Sequence, residues 1–369
     1  MANQLITIKE IARAALPRLI ENLVFPNLVH KDFSNDFVSG KGDRIQVRKP
    51  VVLSAEEFDE AKGTSVQDIN ESSVEVALDK LATVDTEFSA IAAATSIDDI
   101  NRIFIEPAAA ALAQKINSDG LELYKDIPYV TGTAGTTPSS LEDIANVRKV
   151  LNQKNVPVSP RVAVWDTEAD TKFTTVDAIV HADKSGRVKA LRDGSIGKIF
   201  GLENYMSQAV KKHKSEATGT ALKVSGAVEE GATSLSISGT TLTGKFVKGD
   251  VLEIAGKHYT VTKDTDEAAN NAISEIFVYP ALDAIKDKTE VTLVGDHTAN
   301  LAFNPMAFAF VTRPLSAPSG VESYVTSYNG ITLRVVKGYD MKHKKEMLSM
   351  DVLYGYKTMY PELATRVLG

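Results

Sequence analysis

Three sets of residues in this 369-residue chain have types and spacings that bear on chemistry. Gly239, Gly244 and Lys245 match the glycine–lysine spacing of a phosphate loop, whose backbone N–H groups would cradle phosphates. Phe246 stands where that loop needs a Ser or Thr for magnesium, and the surroundings read as a β hairpin instead of strand, loop and helix. Asp264, Asp266 and Glu275 fall at positions 1, 3 and 12 of a calcium loop, but Ala268 and Ala269 take the ligand and glycine positions, so ligands and turn are both lacking. The six histidines (His30, His181, His213, His258, His297, His343) share no metal-ligand spacing. No nucleophile elbow of the Gly-x-Ser-x-Gly type occurs, and no dinucleotide glycine pattern. The sequence therefore names no catalytic, cofactor-binding or metal-ligating residue. A triad assembled from distant residues stays open, but nothing calls for one.

Composition narrows the class. With 43% apolar residues the chain can bury a sizeable core in two or three domains, and 24% charged residues is near the globular norm. A net charge of −7 without a long basic run argues against a dedicated nucleic-acid binder. The absence of cysteine removes disulfides, thiolate zinc sites and cysteine nucleophiles together. No run of about 18 apolar residues occurs and the first residues lack a signal pattern, so a soluble cytosolic protein is expected.

The elements that would position any site are led by residues 96–126. Ser96 reads as an N-cap with Asp98 and Asp99 behind it, opening a short helix at 97–105. Pro107 suits the first turn of a longer helix, whose Leu112, Ile116 and Leu123 fall near one stripe and which Pro128 stops; it would span roughly 27 Å. Strand-like sequence on both sides makes this a spine. Residues 7–23 form an amphipathic helix with Thr7 and Glu10 at capping-box spacing, and Pro17 predicts a kink or break. Such a terminal helix either packs on its own core, the commoner case, or is held out for a partner; both readings stand, and this one is expected to guide assembly and to add little to subunit folding. Residues 36–90 read as a long two-stranded arm: a turn at Gly40 to Asp43, alternation through Ile45 and Val47, an acidic tip, then Val74, Val76 and Leu78.

Residues 131–210 read as an α/β unit, with a capping box at Ser139 and Glu142, a stripe of Leu141, Ile144, Val147 and Leu151, and a buried strand over 161–165. Over 213–298 helical periodicity vanishes and short β segments recur between turns such as Lys248-Gly249-Asp250, which predicts a small antiparallel barrel inserted into the α/β host. The chain closes with apolar and alternating strands over 302–315, 330–340 and 347–367.

This order of parts resembles the tailed-phage major capsid proteins of the Hong Kong-97 type, and the insert resembles the barrel of the P-22-like branch. The resemblance is carried by Gly42 and Asp43 with Val47, Arg48 and Pro50; by Lys248 to Val251, Ile254 to Gly256 and Tyr279 to Leu282; by Asn300 to Phe303, Ala307 to Ala309 and Arg313 to Leu315; and by Gly330, Ile331, Val335, Asp340 and Asp351 to Gly355. Each motif is weak alone and their order persuades. The chain is shorter than the archetype, chiefly in the insert.

The resemblance implies an α+β capsid fold: an N-terminal arm (1–35), an extended hairpin loop with a peripheral-domain strand (36–90), a spine region (91–128), an axial domain (129–212 and 299–340) interrupted by the barrel (213–298), and C-terminal peripheral strands (341–369). It implies a structural, non-enzymatic protein with no cofactor, which self-assembles through pentamers and hexamers into an icosahedral head around double-stranded DNA. Implied partners are scaffolding, portal and decoration or head-completion proteins, with DNA met only through weak non-specific contact and no membrane. A cellular nanocompartment shell of the same fold and a β-module surface-binding protein are the alternatives.

Overall fold

The computed structural model describes residues 8–31, 44–48, 73–89, 105–180, 193–316, 318, 320–340 and 345–369. The predicted helix at 97–105, but for its last residue, with its Ser96 cap, the turn at Gly40 to Asp43 and the acidic arm tip lie outside these residues.

The spine helix is Glu106–Leu121, with Pro107 in its first turn, and it tightens into a 3-10 turn over Glu122–Asp126. Ala108, Ala109, Leu112, Ala113 and Ile116 are buried. The small side chains let a second helix, Ile8–Asn22, lie close, and that helix runs unbroken through Pro17. An interior proline costs about 3 kcal/mol. The buried stripe of Ile11, Ala12, Ala15, Leu16 and Leu19 outweighs this, since each large side chain contributes about 1.5–3 kcal/mol. Asn117 on the spine then holds the end of the helix: its amide oxygen accepts the N–H groups of Val24 and Phe25 at 3.0 and 3.1 Å, and its NH2 donates to the Asn22 carbonyl at 3.0 Å. Phe25, fully buried, packs against Phe303, Phe308 and Tyr356. Gly120 is required here, because an added Cβ would lie 2.4 Å from the Phe25 ring. The terminal helix is thus part of the main core, and the expectation that it adds little to folding is corrected.

Two sheets flank the spine. In the first, the long strand Lys345–Thr358 is central. Lys80–Ser89 pairs along one side of it; Ile331–Asp340 and Phe308–Arg313 share the other, with Glu322–Tyr328 outermost. Leu348, Met350, Val352 and Tyr354 are buried with the residues of the spine and terminal helices, as strand alternation requires. The second sheet is mixed, in the order Val130–Thr131, Ala364–Leu368, His297–Phe303, Val162–Trp165, Leu202–Met206, Gly197–Ile199. Helices Leu141–Gln153 and Thr167–Thr174 cover one of its faces, where Ile144, Val147, Leu151, Trp165 and Phe173 pack together. The capping box at the first helix is Ser140 with Asp143, one residue beyond the predicted pair. The second is capped by Asp166, which accepts from Glu168 and Ala169.

The pairing crosses the expected segment limits. Only the start of 299–340 lies in the second sheet; its remaining strands belong to the first, and the final strand, Ala364–Leu368, returns to the second. Each sheet is assembled from strands far apart in sequence, which local pattern does not encode.

The arm strands Arg44–Arg48 and Ser73–Ala77 pair antiparallel, with Val47 opposite Val74. Their base rests on the first sheet through Val47, Val76 and Leu78 beside Ala309 and Val311. A side chain at Gly355 would lie 1.8 Å from the Ala77 carbonyl, so glycine lets the arm seat.

The insert forms a six-stranded sheet in the order Val291–Leu293, Val251–Ile254, Lys257–Val261, Ala272–Tyr279, Ser234–Ser238, Lys223–Val224. A bridge between Lys223 and Glu290, with Val291 N–H on the Leu222 carbonyl at 2.9 Å, closes it into a barrel. Inside lie Leu235, Ile237, Phe246, Leu252, Ile254, Val261 and Ile276, an apolar cluster separate from that of the body. No helix among the described residues is long and apolar enough to cross a membrane.

Candidate functional site

The motif-like residues are absorbed by the barrel. Phe246 is fully buried in its core, and the loop before it is held by the Thr218–Thr243 bridge with the two hydroxyls 2.9 Å apart. Asp264 accepts the Lys248 N–H at 2.7 Å. Among the described residues no group of His, Asp or Glu could hold a metal ion.

A dense polar constellation lies at the neck of the barrel. The chain leaves the body through Lys212–His213 and returns through His297–Phe303; these strands pair, and His213 faces His297, their ring centroids 5.2 Å apart. Both rings are buried. His213 Nε2 lies 2.8 Å from Asp250 Oδ1 and its Nδ1 lies 3.0 Å from the Tyr124 hydroxyl. The carboxylate accepts, so Nε2 carries the proton and Nδ1 accepts from the tyrosine. Asp250 has no exposed surface, and its Oδ2 accepts the Val247 N–H at 2.8 Å. His297 is oriented the other way: Nδ1 donates to the Gly295 carbonyl at 2.8 Å, leaving the Nε2 lone pair toward Arg366 Nη1 at 3.5 Å.

Arg366 ties the parts together from the last strand. Its Nη1 donates to the Gly249 carbonyl of the barrel at 2.7 Å. Its Nη2 donates to the carbonyls of Tyr124 and Ile127, at the end of the spine, at 2.6 and 3.1 Å. The guanidinium also lies over the Tyr124 ring, 4.9 Å from its centre. Around this centre, Thr260 donates to the Lys125 carbonyl, Lys248 pairs with Asp126 at 2.8 Å, and Tyr279 bonds Glu362.

Burial sets the electrostatics. It pushes the Tyr124 hydroxyl up to about 12, against the pull of Arg366, so the group bonds as a neutral donor. It lowers Arg366 to about 10, opposed by Tyr124, Asp250 and Asp126. It lowers His297 to about 4; the Gly295 bond opposes this, and Arg366 and His213 reinforce it. Such an arrangement clamps. It joins spine end, barrel and C-terminal strand by directional bonds, and holds no group primed as a nucleophile.

Sequence reasoning missed this site because its members, Tyr124, His213, Asp250, His297 and Arg366, share no spacing. Asp250 was legible only as a turn residue. One faint signal existed: a lone arginine in the Ala364–Leu368 strand, all five residues of which are buried.

No family model matches the chain. The major capsid protein of Acyrthosiphon pisum secondary endosymbiont phage 1 is 20% identical to it over an alignment of 405 positions, which covers 96% of each protein. A solved structure from Mycobacterium phage Che8 aligns with a TM-score of 0.53 at 17% identity, covering 94% of this chain and 90% of the other. The mature capsid of bacteriophage PhiM1 aligns at 0.49 and 10% identity, covering 94% and 86%. The fold is that of the Hong Kong-97-type phage capsid proteins.

Proposed function

We propose that this chain is a major capsid protein of a tailed double-stranded-DNA phage, in the P-22-like branch, with a structural and non-enzymatic role. Copies assemble as pentamers and hexamers into an icosahedral head, in the host cytoplasm and with scaffolding, portal and decoration or head-completion partners, and the protein ends in the virion. The observation that carries this reading is the likeness, along nearly the whole of both proteins, to a phage major capsid protein.

The single chain also leaves large apolar side chains in water. On the first sheet Tyr328 and Tyr339 are 69% and 54% exposed, while Phe200, Tyr205 and Met206 are exposed on a short hairpin of the second. Contacts repeated by symmetry would cover such surfaces. The net charge of −7 suits a wall that must not trap DNA. The segment division proposed from the sequence is retained for the barrel and the arm, with the strand exchanges given above. Sedimentation and negative-stain imaging of the full chain, alone and with a co-expressed scaffolding protein, test the proposal. Closed shells are expected; monomers or dimers under every condition would overturn it.

A further inference from the structure

Both strands of the barrel's neck carry a histidine at the same pairing position, and the two rings face opposite kinds of partner. His213 presents its Nε2 to the Asp250 carboxylate at 2.8 Å. His297 has its Nδ1 proton committed to Gly295, so a second proton must go to Nε2, the atom 3.5 Å from the Arg366 guanidinium. The charged or titratable groups around His297 are Arg366 from the last strand, His213 from the outgoing strand and Asp296 beside it. The Gly295 bond favours a second proton, as does Asp296, whose Oδ1 already accepts the Ser215 N–H at 3.0 Å. From the barrel and the spine end, Asp250 and Tyr124 engage His213.

We propose that the neck is a proton-operated latch: a proton taken up by His297 drives Arg366 off and frees the barrel to move on the body, while both apolar cores stay folded. Arg366 bonds the barrel through Gly249 and the spine end through Tyr124 and Ile127, so displacing it loosens the two units together. The separate apolar clusters of barrel and body leave neither core dependent on the joint.

The closed ring resists protonation down to about 4 against an ordinary 6.5, whereas an opened neck titrates normally. Between these values each pH unit of acidification should multiply the open population by about ten. Hydrogen exchange of the dilute full-length subunit, corrected for intrinsic rates, reads this at peptides covering 122–127, 209–215 and 294–299. Protection there should fall with pH while the barrel and body cores remain protected, and the fall should vanish in His297→Gln, which keeps an acceptor for Arg366 but takes no proton. Neck protection independent of pH, an unchanged pH dependence in the variant, or simultaneous loss throughout both cores would each overturn the latch. If the variant does not fold, an NMR titration of the wild-type imidazoles decides: a His297 midpoint well below 6.5 supports the latch, and one at or above it overturns it.

Discussion

Barrel and body bury apolar strands by opposite strategies. In the barrel every pairing stays within the insert itself, as where Val251–Ile254 folds back on Lys257–Val261. In the body the decisive pairings join the two ends of the chain: Lys80–Ser89 lies along Lys345–Thr358, and Lys345 Nζ reaches Glu87 across 258 positions. Their apolar clusters stay separate, and the joint between them is made of hydrogen bonds instead of shared core. Pairing within one segment lets the insert form its sheet with shorter loop closures, while the body must gather both termini. An insert of this kind is held in place by the directional geometry at its neck.

The sharpest way to break this contrast is to delete residues 1–23. Ile11, Leu16, Leu19 and Leu23 are buried in the body core. At about 1.5–3 kcal/mol each, their loss is comparable to the whole stability of a domain. We expect an insoluble or strongly destabilised subunit in which the barrel still gives a β-type signal; an unchanged melting temperature would show that the helix does not hold the body together.

Single core substitutions come next. Phe25→Ala in the body and Phe246→Ala in the barrel each remove a fully buried ring, at about 3–5 kcal/mol. Calorimetry should show each lowering the transition of its own unit; one common transition moved equally by both would remove the distinction. Arg366→Met acts at the joint instead. It leaves the carbonyls of Gly249, Tyr124 and Ile127 without this donor, with a penalty of about 1–3 kcal/mol for each that stays dry and unpaired. The two transitions should separate further, and proteolysis should reach the neck first. The smallest effect is expected at Ser140→Ala, which removes one cap from the helix over the second sheet and should cost about 1 kcal/mol, read as a small shift in the body transition alone.

What could be read from the chain follows the range of the interactions involved. The short β segments of the insert, Ser234–Ser238 and Val251–Ile254 among them, fell within the 213–298 stretch that predicted them, and the 162–165 strand and the Ile144, Val147, Leu151 stripe were legible because period and turn residues are local signals. The helix through Pro17 defeated local reading, since the penalty is local and the compensating burial is tertiary. Sheet membership was equally hidden: the alternation of Ile331–Asp340 says that one face is buried, not which strand lies beside it. The neck depended wholly on tertiary structure. Arg366 and Tyr124 meet across 242 positions, and His213, Asp250 and His297 carry no mutual spacing. The sequence by itself determined the elements, the insert and the resemblance, through short-range propensity and pattern. Only the fold decided that two histidines, an aspartate, a tyrosine and an arginine would share one dry space, because burial and hydrogen-bond geometry exist only once distant strands have paired.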